Sequence, residues 1–150
     1  MKVVIQRVQE ASVKINDTIV GAINQGLLVL ASFVDADNQE DYDWIINKII
    51  NLRIFNDENR VMNLSCLDIQ AEILLVSQFT LHASTKKGNR PSYLSAAKPE
   101  VALLKYETFK QTLAKLFPRE IKTGEFGADM KVSLVNDGPV TIIIDSKNRT

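Results

Sequence analysis

The sequence predicts an α+β domain in which a largely antiparallel, barrel-like sheet carries two helices. The chain has 150 residues, a length that suits one domain, so we expect a single domain over residues 1–150. Strand patterns outnumber helical patterns, and short turns join most neighbouring strands. Most strands have no helix between them, which argues against a doubly wound parallel sheet.

The N-terminal third of the sequence predicts a hairpin, a buried strand and a helix. Alternating apolar residues lead to the turn signal Asn16-Asp17, and a second short strand follows it. The continuous apolar run over residues 26–33 indicates a strand that is covered on both faces. Apolar residues then recur at helical spacing and predict a helix over residues 38–53.

The rest of the chain predicts one more helix and several strands. Residues 55–68 look irregular, and residues 72–79 predict a buried strand that turns polar at its end. Pro99 suits the first turn of a second helix, which Pro118 ends. The remaining strand candidates cover residues 121–126, 130–135 and 140–145.

Composition and targeting signals exclude several classes of protein. Hydrophobic residues make up 45% of the chain and charged residues 24%, which are values of a globular protein. No apolar run approaches the roughly 18 residues of a membrane span, and the start lacks the apolar centre of a signal peptide. We therefore expect a cytoplasmic protein without a membrane partner.

The chain has one cysteine, Cys66, and one histidine, His82. These counts exclude an internal disulfide, a cysteine-rich zinc site and a multi-histidine metal site. We expect no bound metal and no cofactor. A catalytic Cys–His pair would have to join these two residues.

The net charge is zero, but the charges are distributed unevenly. Acidic residues exceed basic residues over 1–75, and basic residues exceed acidic residues over 76–150. A basic second half suits a phosphate backbone, whereas lysines are also common on ordinary solvated surfaces. Charge alone leaves both interpretations open.

Residues 77–81, SQFTL, are the first candidate for chemistry, because polar groups at the end of a rigid strand are well placed for a site. Strand alternation predicts that Gln78, Thr80 and His82 share one face. The Thr80 hydroxyl needs a base to act as a nucleophile. His82 would be about 7 Å away along the strand, too far for a direct hydrogen bond. The alternative is a strand end whose hydroxyls satisfy backbone groups.

Residues 136–141, NDGPVT, are the second candidate. Asp137-Gly138 suits a hairpin turn between the flanking strands. Pro139 lacks an N–H and disfavours a central strand, so it indicates a sheet edge or an irregular backbone. Gly-Pro is also a bond at which the cis form costs only about 0.5–1 kcal/mol. In a cis unit the two carbonyl oxygens would point in nearly the same direction. Such a rigid backbone element could select a ligand by steric exclusion and hydrogen bonding, without using a side chain.

Over essentially its whole length the chain resembles the D-aminoacyl-tRNA deacylases, also called D-tyrosyl-tRNA deacylases. The matching segments are VVIQRVQEASV, GLLVL, RIFND, MNLS, VSQFTL, KKGNRPSY and ADMKVSLVNDGPVT. SQFTL and NxGPVT together are highly specific to this family, and a related animal deacylase group differs at both motifs. Some eukaryotic members carry a long extension that is linked to DNA binding. The tail after Thr141 is short, so we expect no DNA partner.

The resemblance implies an esterase that releases a D-amino acid from the terminal adenosine of a mischarged tRNA. It also implies a homodimer in which a Gly-cis-Pro element, here Gly138 and Pro139, enters the active site of the other subunit. Its carbonyl oxygens would hold the substrate amino group and exclude an L side chain. Glycine has no side chain to exclude, so glycyl-tRNA would be cleaved in part. Arg7 matches the arginine that braces this element across the dimer; without the resemblance it would be an ordinary surface arginine.

The resemblance also places Ser77, Gln78, Phe79 and Thr80 along the reaction centre, where backbone N–H groups would stabilise an oxyanion. In one account of the family Thr80 is the nucleophile. In another it only positions the substrate, and water and the terminal ribose 2′-hydroxyl do the chemistry. The lack of a convincing base favours the second account.

Further matches concern the RNA part of the substrate. Phe126 and Met130 match residues that contact the terminal adenine, and core packing is their alternative role. Lys86, together with Lys87 and Arg90, follows SQFTL and could meet tRNA phosphates. Exposed lysine runs are common, so we rank this contact below the motif residues.

Two other functions compete with the deacylase. A non-enzymatic RNA-binding module would capture a tRNA end without turnover. Such a module would not need a Gly-Pro element that selects the substrate beside a polar strand end. A small-molecule esterase or amidase would use Thr80 or Ser77, but any Ser–His–Asp triad would depend on His82, the one histidine.

Overall fold

Eight strands and two helices form the protein in the computed structural model, which describes residues 1–150. The strands are β1 (Lys2–Ile15), β2 (Thr18–Ile23), β3 (Gly26–Ser32), β4 (Phe55–Asn56), β5 (Met62–Leu64), β6 (Glu72–Ser77), β7 (Ile121–Thr123) and β8 (Lys131–Asp145). The helices are α1 (Gln39–Asn51) and α2 (Pro99–Leu116), and a short 3-10 helix spans Phe79–His82.

The main sheet is mixed and is built around β1. β1 pairs antiparallel with β8 along one edge, and with β3 and then β2 along the other. β3 pairs parallel with β6, and β6 pairs parallel with β7. The connections after β3 and β6 contain α1 and α2, and such long crossovers let the following strand run in the same direction. The predicted α+β fold with a barrel-like sheet and two helices is confirmed.

The sheet almost closes because β2 comes close to β7 at Gly21. A Cβ atom at Gly21 would lie 2.4 Å from the carbonyl oxygen of Thr123. No side chain fits in that space, so the glycine is what permits the close approach of the two backbones. β8 lies outside the strand order β2-β1-β3-β6-β7 and pairs only with β1. Its other edge is therefore free.

The predictions for the N-terminal third are confirmed. Asn16 and Asp17 have φ angles of 46° and 62°, as a type I′ hairpin turn requires at both central positions. β3 is buried on both faces: Leu27 and Val29 pack in a core cluster with both helices, whereas Leu28 packs in a second cluster. α1 begins after a capping box that Asn38 forms with Asp41.

Several predictions for later segments are corrected. The segment over residues 55–68 contains the short hairpin β4–β5. The strand predicted over 121–126 ends at Thr123. The two strands predicted over 130–135 and 140–145 are one strand, β8, because both halves pair with β1 in the same direction. The Asp-Gly pair therefore does not reverse the chain.

Candidate active site

A cavity of about 710 Å³ opens at the carboxyl ends of β3 and β6. In this parallel pair Ala31 lies beside Ser77, and the Gln78 N–H donates to the carbonyl oxygen of Ala31 at 2.7 Å. The start of α2 and the loop over residues 126–130 form other walls. The walls are mostly apolar with a few polar groups, and small-molecule sites of about 300–1,000 Å³ have this character.

The cavity brings together residues from two distant parts of the sequence. Of the residues predicted for the site, those that line it are Ser77, Gln78, Phe79, Phe126 and Met130. The predicted residues that do not line it within this chain are Thr80, Arg7, Lys86, Gly138 and Pro139. The cavity walls therefore contain the strand-end motif and the predicted adenine contacts, and the Gly-Pro element lies elsewhere.

The strand-end motif turns sooner than the sequence predicts. β6 ends at Ser77, and Phe79–His82 is a 3-10 helix, so strand alternation does not apply to these residues. The prediction that Gln78, Thr80 and His82 share one strand face is therefore wrong. In a 3-10 turn the first N–H groups have no acceptor inside the turn, which leaves them for other partners.

The Thr80 hydroxyl has an amide as its partner. Nε2 of Gln78 donates to Oγ1 of Thr80 at 2.6 Å. An amide cannot accept the hydroxyl proton as a base, so the contact orients Thr80 without activating it. This arrangement suits a positioning residue.

The lone histidine pairs with a serine that the sequence did not single out. Nδ1 of His82 lies 2.6 Å from Oγ of Ser32, and both residues are buried. Cys66 is also fully buried, and burial raises the pKa of its thiol to about 12. The structure gives no support to a catalytic Cys66–His82 pair, because burial keeps the thiol protonated and Nδ1 of the histidine has Ser32 as its partner.

Aromatic side chains border the cavity. The rings of Phe79 and Tyr93 meet edge to face with centroids 5.1 Å apart, and both rings remain partly exposed. Phe126 contacts Tyr106 with ring centroids 5.7 Å apart, and Met130 is half-buried. Sequence reasoning missed Tyr93, although an aromatic residue at the end of the basic loop was a usable signal.

The second motif forms a bulge opposite Arg7. In the β1–β8 pair Gln6 faces Thr141 and Val8 faces Asn136, so Arg7 alone faces the residues between. Nε of Arg7 donates to the carbonyl oxygen of Asp137 at 2.8 Å, and Nη1 donates to that of Ile54 at 2.5 Å.

Arg7 is only 5% exposed, so it is not an ordinary surface arginine. It holds the Gly-Pro element of its own chain. A role across a dimer stays a prediction.

Asn136 closes the same bulge from inside. Its Oδ1 accepts from the backbone N–H of Val140 at 2.8 Å, and its Nδ2 donates to Oγ1 of Thr141 at 3.0 Å. The Gly138–Pro139 peptide bond is cis, and both residues are exposed. The predicted irregular backbone at Pro139 is confirmed, and the alternative hairpin turn is wrong.

The basic loop lies at the surface. Lys86, Lys87 and Arg90 are exposed and form no ion pair. No group of three or more potential metal-ligating side chains occurs. Neither helix is both long and apolar enough to cross a membrane.

The fold and the cavity define an α+β domain with a ligand-sized site at the ends of two parallel strands. The family model for D-Tyr-tRNA(Tyr) deacylase matches residues 4–145. A D-aminoacyl-tRNA deacylase of Flavobacterium psychrophilum is 62% identical over 149 residues, which cover 99% of each chain. One of Bacteroides fragilis is 58% identical with the same coverage. The chain belongs to the D-Tyr-tRNA(Tyr) deacylase family.

Two solved structures have the same fold. A c-Myc DNA unwinding element binding protein superposes with a TM-score of 0.92 at 43% identity, covering 97% of this chain and 98% of the other. A protein described as a probable eukaryotic D-amino acid tRNA deacylase superposes with a TM-score of 0.79 at 17% identity. That match covers 95% of this chain and 97% of the other, and at this identity it shows the fold alone.

Proposed function

We propose that this protein hydrolyses the ester bond of D-aminoacyl-tRNA and releases a free D-amino acid and tRNA. The observation that carries the proposal is the cavity at the ends of β3 and β6, in which Ser77, Gln78 and Phe79 meet Phe126 and Met130. Membership of the family over residues 4–145 supports the same activity.

The cavity suits the terminal adenosine of a tRNA. Phe126 and Met130 provide a flat ring and a polarizable thioether for the adenine base. The aminoacyl ester would then lie at the turn that begins after Gln78. This assignment gives the apolar walls to the base and the polar strand end to the reacting group.

The turn after β6 contributes to catalysis mainly by geometry. Water attacks the ester carbonyl, the tetrahedral intermediate collapses, and the ribose 3′-oxygen leaves and takes up a proton. Backbone N–H groups at the start of the 3-10 helix stabilise the oxyanion. Thr80 positions the substrate, because its hydroxyl is bound by the Gln78 amide and has no base.

The Gly-Pro element acts in a homodimer. Gly138 and Pro139 are exposed and lie outside the cavity of their own chain, so a second copy is needed to bring them to a cavity. β8 has a free edge, and Ile143, Leu134 and Val135 on it are exposed. A long apolar edge strand is normally covered by a partner, which supports an interface along β8.

Selection for the D configuration then works by exclusion. The carbonyl oxygens of Gly138 and Pro139 accept hydrogen bonds from the substrate amino group and leave no room for an L side chain. Glycyl-tRNA, which has no side chain to exclude, is cleaved in part. Arg7 holds the element in place through its hydrogen bond to Asp137.

The rest of the tRNA is held by charge. Lys86, Lys87 and Arg90 contact tRNA phosphates from the exposed basic loop. We place the protein in the cytoplasm and assign it no DNA partner, no metal and no cofactor.

The test is a paired time course with D-tyrosyl-tRNA and L-tyrosyl-tRNA at a molar trace of protein. We expect rapid loss of the D ester over many turnovers while the L ester stays intact. Equal loss of both esters would contradict chiral selection. Loss of neither ester, with folded protein, would contradict hydrolysis and favour an RNA-binding module.

Two further measurements separate the parts of the proposal. Free D-tyrosyl methyl ester is hydrolysed far more slowly than D-tyrosyl-tRNA if the RNA is part of the substrate. Sedimentation of the wild type and of Ile143→Asp tests the dimer, because a charge on the exposed β8 residue destabilises an apolar interface. A wild-type monomer with full chiral selection would contradict the cross-subunit element.

A further inference from the structure

Ser32 and His82 form a buried hydrogen-bonded pair beside the cavity. Oγ of Ser32 lies 2.6 Å from Nδ1 of His82, and the same hydroxyl donates to the carbonyl oxygen of Phe79 at 3.3 Å. Ser32 ends β3 and lines the cavity, whereas Phe79 and His82 are the first and last residues of the 3-10 helix. One hydroxyl therefore ties both ends of the turn to the sheet.

The number of protons on Ser32 and His82 limits how both hydrogen bonds can form together. Burial lowers the pKa of His82, and the positive charges of Lys2 and the N-terminal ammonium lower it further, against two nearby carboxylates. The imidazole is therefore neutral at neutral pH and carries one N–H. The Ser32 hydroxyl has one proton, so both hydrogen bonds form together only in the Nδ1–H tautomer, in which Nδ1–H donates to Ser32 and the Ser32 hydroxyl donates to Phe79.

The acceptor at the end of this chain belongs to a peptide of the reaction centre. The carbonyl of Phe79 and the N–H of Thr80 lie in one planar trans peptide and point in opposite directions. A fixed carbonyl therefore fixes the direction of the Thr80 N–H. Hydrogen bonds in a chain also polarise one another, so a bonded Phe79 carbonyl makes the Thr80 N–H a stronger donor.

We propose that Ser32 and His82 are positioning residues for deacylation, which hold the turn at Phe79 so that the backbone N–H groups at the start of the 3-10 helix face the reacting ester. The proposal rests on the proposed function of the cavity. Ser32 is not a nucleophile, because it is 1% exposed and its hydroxyl already serves two partners. His82 acts through Ser32 and not through Thr80.

The kinetic test uses Ser32→Ala and His82→Leu with D-tyrosyl-tRNA as the substrate. We expect kcat to fall about tenfold to a hundredfold in each, with KM within about twofold, because the oriented N–H acts on the transition state. Ser65→Ala is the matched control, because it removes another buried hydroxyl at a place outside the cavity. The Ser65 hydroxyl donates to Oδ2 of Asp68 at a distance of 2.7 Å. This variant should keep the wild-type kcat.

Rescue and coupling distinguish positioning from a general loss of stability. His82→Asn retains an amide donor near the place of Nδ1 and should recover most of kcat, whereas His82→Leu should not. The double variant Ser32→Ala/His82→Leu should be no slower than Ser32→Ala alone, because the chain passes through Ser32. Fully additive losses, or kcat within twofold of wild type in both single variants, would overturn the proposal.

An NMR measurement tests the hydrogen-bond chain independently of activity. In ¹⁵N-labelled wild type the His82 ring should be the neutral Nδ1–H tautomer, and Ser32→Ala should shift it towards Nε2–H. An Nε2–H ring in the wild type would overturn the proposal. Nδ1–H in a protein that cleaves no D ester would preserve the hydrogen-bond chain but refute its role in deacylation, and the proposed function would fail as well.

Discussion

Arg7 and Asp137 are joined across two strands by a hydrogen bond from the guanidinium Nε to a backbone carbonyl, at 2.8 Å. The bond lies where β8 bulges away from β1, next to Gly138. Because Arg7 also donates to the carbonyl of Ile54, its guanidinium is held from two sides. The position of the Gly-Pro element thus depends on a buried side chain of a different strand.

Replacing Arg7 with Lys should loosen the bulge. A lysine ammonium is a point donor on a flexible stem and cannot span both carbonyls in the planar geometry of the guanidinium. We expect a loss of about 1–3 kcal/mol in the free energy of unfolding, measured in urea, and a lower kcat/KM for D-tyrosyl-tRNA. Lys14→Met, an exposed change on the same strand, should alter neither quantity. Wild-type values for Arg7→Lys would contradict the bracing role.

Gly138→Ala should disturb the same element by steric contact. Gly138 has φ of +139°, and an added Cβ would lie 2.9 Å from Cγ2 of Val140 and 3.0 Å from Nη2 of Arg7. We expect D-tyrosyl-tRNA deacylation to fall at least about tenfold, since displacements of about 1 Å at a site cost about a hundredfold. Gly88→Ala has positive φ with nothing within 4 Å and serves as the comparison for backbone strain alone. Equal effects of the two variants would show that the contacts with Val140 and Arg7 are unimportant.

Thr80→Val tests whether the hydroxyl attacks the ester. The partner of Oγ1 is the Gln78 amide, so we expect less than about a tenfold loss in kcat. Removing a true nucleophile costs on the order of 10⁴–10⁶ in kcat. Single-turnover rates with D-tyrosyl-tRNA would decide whether Thr80 positions the substrate or attacks the ester. A loss of the larger size, with Thr80→Ser active, would identify Thr80 as the nucleophile.

If the basic loop binds tRNA phosphates, it contributes to the salt dependence of tRNA binding. Neutralising Lys86, Lys87 and Arg90 as glutamines removes three exposed cations that have no ion-pair partner. We expect weaker tRNA binding and a shallower dependence of log Kd on log salt, by about 0.7–0.9 for each phosphate that the variant no longer neutralises. Saturated kcat should stay unchanged. An unaltered salt slope would mean that the loop is an ordinary solvated surface.

Local sequence signals were enough for most elements of the fold. Asn16-Asp17 predicted the first hairpin, and Pro99 predicted the start of α2. Both features depend on the backbone preferences of the residues themselves. The position of the cavity also followed from the sequence in part, because SQFTL was expected at the end of a buried strand.

The two motifs showed where local signals fail. Asp137-Gly138 favours a hairpin turn, but pairing of both halves of β8 with the long β1 keeps the chain running straight on. Similarly, SQFTL leaves the strand after Ser77, where hydrogen bonds from Gln78 to Ala31 and from Ser32 to Phe79 fix the turn. These partners are distant in sequence, so local pattern could not identify them.

The contact between Asp41 of α1 and Lys147 near the C-terminus predicts how the stability of the protein depends on acid pH. Nζ of Lys147 donates to Oδ2 of Asp41 at 2.6 Å. Burial acts to raise the pKa of Asp41, but hydrogen bonds from Lys147 and from the Asn38 backbone outweigh it and lower the pKa from 3.8 to about 2.

Because the folded pKa of Asp41 is the lower one, the unfolded chain binds more protons between about pH 4 and pH 2. The stabilisation, about 2 kcal/mol, is therefore complete above that range and is lost as the pH falls through it. Urea unfolding across pH 2–5 should show this loss in the wild type and a flatter profile in Asp41→Asn. Asp43→Asn, an exposed change on the same helix, should keep the wild-type profile. Parallel profiles for the wild type and Asp41→Asn would mean that other carboxylates cause the loss of stability at acid pH.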